Sequence, residues 1–264
     1  MEKRFLAPKE IANAMINVGV GKANLKTSAM IYLGILAGMY IGFGGLANTI
    51  ISQTLGNIDP GFAKFAGAAV FPVGLMLVVV AGAELFTGNN LMTLAVMNKK
   101  ITLSQMLRNW GVVWVANFVG SVLLALVVFY GGVLSGDAGT KAIAIAESKA
   151  SLDIATLILR GILCNILVVL AVWMATSSQD IISKLFACWF PIMLFVLCGF
   201  EHSVANMFFM PMGMLLGAKV TLGALIKNLV FVTIGNILGG AIIVPFLYKN
   251  AYLSNEPQVT KQES

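Results

Sequence analysis

Charge is what this chain has least of. Asp, Glu, Lys and Arg make up only 11% of its 264 residues, against roughly 25% in a soluble domain whose surface must face water. Histidine occurs once, at His202, so no multi-histidine metal site can form. There is no G-x-x-x-x-G-K-[ST] loop to cradle a nucleotide phosphate. A TVGYG-type filter and an arginine-rich voltage-sensing helix are also missing. No polar stretch is long enough to carry a soluble catalytic domain, so an enzyme reading has no support and no cofactor is implied. The net charge of +6 is not a nucleic-acid footprint, because the basic residues sit in short stretches between apolar blocks, as they do when they flank membrane spans. The three cysteines, Cys164, Cys188 and Cys198, have no zinc or redox spacing and read as small buried packing residues.

What is abundant is apolar surface. Hydrophobic residues are 59% of the chain and mean hydropathy is +0.91, which defines an all-α integral membrane protein. Spans of about 20 apolar residues are expected near 29–50, 66–97, 108–131, 154–176, 185–215 and 225–248. The second and fifth of these six are too long for one crossing and carry polar residues in their middles. Before them, Pro8 suits a helix start, and Ile11, Met15 and Val18 share one helical face. That pattern fits an amphipathic helix in the membrane interface, or else a soluble helix packed on the loops. With the N-terminus inside, 11 basic residues fall on the cytoplasmic side and 6 outside, which places both termini in the cytoplasm. The polar tail after Tyr252 is expected to be disordered.

The chain repeats itself. KITLSQMLRNW (100–110) matches KVTLGALIKNL (219–229), and Pro72, Asn117 and Gly120 match Pro191, Asn236 and Gly239, all at an offset of 119 residues. AELFTGN (83–89) resembles FEHSVAN (200–206), and GGLAN (44–48) resembles GILCN (161–165), both at an offset of 117. Each copy holds three spans, so the second must enter the membrane from the opposite side, as an inverted repeat. This divides the chain into an N-terminal helix (1–28), a first repeat (29–131), an extracellular connection (132–153), a second repeat (154–248) and a cytoplasmic tail (249–264). The overlong spans are then equivalent helices, each broken at its glutamate motif. Broken backbone at membrane depth is tolerated only inside protein or along a cavity.

Ionisable groups inside spans are costly and usually functional. Here they are Glu84, Glu201 and His202. The equivalence of Glu84 with Glu201, and of Asn89 with Asn206, favours a structural role at the breaks over an ion relay. Each carboxylate is expected to accept hydrogen bonds from backbone N–H groups freed there. His202 faces the apolar Leu85 in the alignment, so the break alone does not require it. It reads as a pore residue donating a hydrogen bond, with Thr87 as its hydroxyl partner, against the alternative of a histidine satisfied by backbone carbonyls. Phe71, Leu75, Leu85, Phe86 and Phe195 supply apolar bulk around this centre, either as rings narrowing a path or as core. Trp110, Trp114, Trp173 and Trp189 fit interface anchors, and Gly34/Gly38 and Gly235/Gly239 permit close helix approach.

AELFTGN, NWGVVWVANFVGS (109–121), RGILCNILVVLAVWM (160–174), GFEHSVANMFFMPMG (199–213) and TIGNILGG (233–240) together resemble the formate/nitrite transporter family over nearly the whole chain, most closely its hydrosulfide-conducting branch. The resemblance implies an aquaporin-like fold in a bacterial cytoplasmic membrane, surrounded by lipid, and a homopentamer with one pore per protomer. It implies passive conduction of small monovalent anions, hydrosulfide or formate first and nitrite next. His202 matches the family's central histidine and Thr87 its hydroxyl partner. Asn165 matches a vestibule residue and Lys149 a basic residue at the outer mouth, while Phe71, Leu75, Phe86 and Phe195 match the constrictions. A neutral-solute pore is disfavoured by the absence of paired Asn-Pro-Ala motifs, whereas proton-coupled transport with alternating access and a purely structural scaffold remain as rivals. Within the channel reading, bare anion conduction and transient proton sharing both stay open.

Overall fold

The computed structural model describes residues 5–253, so the expected disorder of the final residues lies outside the described part. The order is α1 (Pro8–Ala23), α2 (Thr27–Ser52), α3 (Pro60–Gly82), α4 (86–97), α5 (Leu103–Tyr130), α6 (Gly136–Ser151), α7 (Ile154–Ser177), α8 (Ile181–Leu197), α9 (Ser203–Leu215) and α10 (Leu222–Tyr252). Helices α2, α3, α5, α7 and α10 are each long and apolar enough to cross a membrane, and α8 and α9 are shorter apolar helices. The first five helices and the last five correspond one to one.

Local chemistry sets the helix boundaries. Asp59 and Asp180 cap α3 and α8 through Phe62 N–H and Ser183 N–H, and Thr102 and Thr221 cap α5 and α10. These are equivalent caps in the two halves, and each satisfies a backbone donor that the helix cannot. Pro8 occupies the first turn of α1 as expected.

Both breaks are made the same way. Gly82 (φ 91°) and Gly199 (φ 70°) lie two residues before Glu84 and Glu201, in a backbone region that side chains disfavour. The chain then runs extended to Leu85 and to His202 before α4 and α9 begin. Upstream, α3 loosens into a π-helical turn at Leu77–Gly82.

Glycine fixes the two main crossings. A methyl group at Gly38 of α2 would stand 2.1 Å from the Asn117 carbonyl oxygen of α5, and one at Gly239 of α10 would stand 2.2 Å from the Ile162 oxygen of α7. The backbones themselves touch, which is how helices pack without a hydrophobic drive between them.

The structure corrects several expectations. The first spans pair at an offset of 127, not 117: Asn117 donates to the Gly34 carbonyl where Asn236 donates to that of Gly161. Asn165 is therefore equivalent to Gly38 rather than to Asn48. The apolar face of α1 is Ile11, Ala12, Met15, Ile16, Gly19 and Ala23, and Val18 is exposed. That face packs on the protein, with the Cβ position of Gly19 2.9 Å from Ala95 Cβ, so it is not free to enter lipid. Trp110 and Trp173 are buried rather than interfacial. Cys198 is exposed, because it lies at the opened end of α8, while Cys164 and Cys188 are buried.

Candidate functional site

Two matching polar networks hold the breaks. Lys22, near the end of α1, pairs with Glu84, and Lys149, near the end of α6, pairs with Glu201 at 2.9 Å. Asn89 Nδ2 donates to Glu84 and to Asn109 Oδ1, and Asn109 Nδ2 donates to the Lys22 carbonyl. In the second half Asn206 Nδ2 donates to Glu201 and to Asn228 Oδ1, and Asn228 Nδ2 donates to the Lys149 carbonyl. Both carboxylates are buried, and a buried charge persists only when paired and hydrogen-bonded.

The donors to these carboxylates are thus Lys and Asn side chains, not the freed backbone N–H groups expected from sequence. Those backbone groups go to another symmetric pair. Asn117 Oδ1 accepts from Phe86 N–H while its Nδ2 donates to the carbonyls of Gly34 and Glu84. Asn236 does the same for Ser203 N–H, Gly161 and Glu201. An Asn amide offers donor and acceptor together, which a carboxylate cannot, so it can bridge both ends of a broken helix.

His202 is the first departure from symmetry. Its Nδ1 lies 3.0 Å from Ala205 N and caps α9. A backbone N–H can only donate, so Nδ1 is the acceptor and the neutral ring carries its proton on Nε2. Nε2 sits 2.9 Å from Thr87 Oγ1 of the opposite break. The ring stacks on Phe195 with centroids 5.8 Å apart, and Phe71 meets Phe195 edge-on at 5.7 Å.

A narrow chamber of about 10 Å³ lies here, walled by Ile41, Phe71, Leu75, Leu85, Val168, Ile192, Phe195 and His202. That is the space of about one water, and His202 supplies the wall's only ionisable group. On one side a cavity of about 590 Å³ reaches Phe71, Phe195 and His202 past Lys149. On the other a cavity of about 340 Å³ reaches Leu75 and Leu85 past Lys22 and Glu84.

The structure thus brings His202, Phe71, Leu75, Leu85 and Phe195 together, with Thr87 behind the ring rather than on the chamber wall. Phe86 lines neither the chamber nor either cavity; it packs edge-on against Trp110, centroids 6.0 Å apart. Asn165 is fully buried and lines no cavity either, donating instead to the Thr87 carbonyl, Asn90 Oδ1 and the Asn236 carbonyl. It anchors the Thr87 turn. Lys149 lines the larger cavity, but as the partner of Glu201 rather than as a free cation at its rim.

Sequence reasoning passed over Lys22, Phe209 and the Asn109/Asn228 pair. Lys22 and Lys149 stand at the 127-residue offset, and Asn109 and Asn228 lie inside the matched 100–110 and 219–229 strings. Phe209, stacked on Phe71 and lying under the Lys149 ammonium at 5.5 Å, had no such signal, because its counterpart is Met92.

A helical membrane protein with two inverted halves, two cavities and a single ionisable residue on the chamber between them has the build of a membrane transport protein. The formate/nitrite transporter family model matches residues 9–249, and the chain belongs to that family. It is similar to the formate channel BtFdhC of Bacillus thuringiensis, 43% identical over 211 residues that cover 77% of this chain and 80% of the relative. A solved FNT family ion channel superposes with a TM-score of 0.86 at 32% identity, covering 92% of this chain and 98% of the other. A pentameric formate channel with formate bound superposes with a TM-score of 0.77 at 32% identity, covering 86% and 98%.

Proposed function

We propose that this protein is a passive channel for small monovalent anions, formate first, with hydrosulfide and nitrite as further substrates. It works as a homopentamer with one pore in each protomer, in a bacterial cytoplasmic membrane with both termini in the cytoplasm. The observation that carries this reading is the His202–Thr87 contact, at 2.9 Å, between the Phe71/Phe195 and Leu75/Leu85 constrictions.

The 10 Å³ chamber is too small for formate, so conduction requires the constricting side chains to move aside. An anion stripped of water there needs donors, since desolvating a charge without compensation is costly. Nε2–H can turn from Thr87 Oγ1 to the anion. A doubly protonated ring would aim a second N–H at Ala205 N–H and break the cap of α9. That geometry favours hydrogen-bond donation to a bare anion over proton sharing. Glu84 and Glu201 stay occupied by lysine and asparagine, so they hold the breaks and do not repel the passing anion.

The test is flux into proteoliposomes. Formate, hydrosulfide and nitrite are expected to equilibrate rapidly, with glycerol excluded and no fixed stoichiometry with protons. Uptake coupled to protons would favour the secondary-transporter alternative, and glycerol flux without anion flux would exclude an anion path.

A further inference from the structure

The two cavities are not electrically equivalent. The larger is lined by Lys64, Lys141, Lys149 and Arg160 against Glu201 alone, a formal lining charge of +3. In the smaller, Lys22 and Glu84 cancel. The Lys149–Glu201 pair also cancels, so the surplus comes from Lys64, Lys141 and Arg160, none of which is part of either break. Lys64 and Arg160 are exposed and Lys141 half-buried, and Arg160 donates only to the Gly199 carbonyl. Acids nearby are turned elsewhere. Asp59 accepts from Phe62 N–H, Glu147 from Lys219 N–H and Asp153 from Thr156, and neither these nor Asp137 lines the cavity. Around the smaller cavity, Lys26, Lys99, Lys100 and Arg108 all lie outside the lining, and Arg108 is held on the Leu25 carbonyl and Thr27.

We propose that Lys64, Lys141 and Arg160 form an anion-concentrating basin that makes the Lys149 vestibule the salt-sensitive, high-affinity entrance of the pore, while the Lys22 vestibule is nearly neutral. This deepens the channel reading and rests on it. A cleft with one sign of charge and low-dielectric walls focuses the field and raises the local counter-ion concentration. A passive pore cannot favour one direction at equilibrium, so the asymmetry is read as saturation and salt dependence on one side. Salt screens such a field over about 8 Å at physiological ionic strength.

The test uses proteoliposomes holding the full chain in one orientation. Modification of Cys198 by a membrane-impermeant maleimide reports that orientation, because Cys198 is exposed in the Lys149 vestibule while Cys164 and Cys188 are buried. Formate is the probe. Lowering ionic strength on the Lys149 side alone is expected to lower the half-saturating formate concentration from that side by about 3- to 10-fold, at the lower end of electrostatic focusing. The same change on the Lys22 side is expected to move it less than about twofold. Lys64→Gln/Lys141→Gln should abolish most of the one-sided effect, whereas Lys219→Glu, an equal change of net charge made outside the lining, should leave it intact. Equal salt dependence on both sides, or an unchanged effect in the double variant, overturns the inference while leaving the channel reading standing. Absence of flux for every anion overturns both.

Discussion

The two halves of this molecule agree in what holds the backbone and disagree in what they place around the central chamber. Lysine, glutamate and the asparagines Asn89, Asn109 and Asn117 are matched at each station by Lys149, Glu201, Asn206, Asn228 and Asn236. Near the centre, His202 stands at the position equivalent to Leu85, Val204 at that of Thr87, and Asn165 at that of Gly38. A broken helix in a membrane makes the same demand wherever it occurs, namely partners for its freed N–H and C=O groups. The one polar contact at the centre is drawn from opposite halves, His202 Nε2 meeting Thr87 Oγ1 at 2.9 Å.

The comparison can be broken first at the crossings. Gly38→Val and Gly239→Val each drive a side chain into a carbonyl that an ideal Cβ already approaches to 2.1 and 2.2 Å. Both variants are expected to leave no folded protein in detergent, seen as loss of the monodisperse peak in size-exclusion chromatography. Survival of one but not the other would show that the crossings are not equivalent.

Next are the ion pairs. Glu84→Ala and Glu201→Ala each strand a lysine that is mostly buried, at side-chain exposures of 23% and 15%. Each is expected to cost about 3–5 kcal/mol, the usual range for a buried pair deprived of one partner, and to lower the thermal midpoint in detergent. Lys149→Leu/Glu201→Leu should recover much of the loss, and a double variant no better than Glu201→Ala would mean that the asparagines, not the lysine, carry the network.

Smaller effects belong to the asymmetric positions. Thr87→Val removes the hydroxyl 2.9 Å from Nε2, worth about 0.5–1.5 kcal/mol for one hydrogen bond. A several-fold fall in formate flux is expected, with little change in thermal stability. Smallest of all, Cys198→Ser on the exposed end of α8 should leave flux and stability within error, while Cys188→Ser, which buries a hydroxyl, should destabilise by about 1–3 kcal/mol; thermal melts separate the two.

The spans and breaks were legible because they follow from composition and period. Charge depletion marks the membrane, and a glutamate in the middle of an overlong apolar run marks a break. His202 stood out by being polar where its counterpart is Leu85. What stayed hidden depended on register. The GGLAN/GILCN match set the first spans ten residues out of step and concealed both the Lys22–Lys149 equivalence and the Gly38–Asn165 contrast. The Gly-Ile-Leu shared by 34–36 and 161–163 carries the correct register, but three apolar residues are weak evidence in so apolar a chain. Phe86 and Asn165 misled for another reason: Phe86 adjoins the first break and Asn165 lies in the middle of α7, yet side-chain direction turns one toward Trp110 and the other toward the Thr87 carbonyl.

The most direct measurement is formate flux through His202→Leu, which gives the second break the residue of the first. His202 holds the scaffold through one cap, worth about 0.5–2 kcal/mol, one hydrogen bond to Thr87, worth about 0.5–1.5 kcal/mol, and the stack on Phe195, whose apolar contact a leucine keeps in part, so the variant should fold and assemble with a modest loss in thermal midpoint. Flux per folded protein should fall by about tenfold or more, or lose its preference for formate over chloride. A folded His202→Leu protein that conducts formate with unchanged rate and selectivity would contradict the account, and would place the pore's selectivity in the symmetric scaffold.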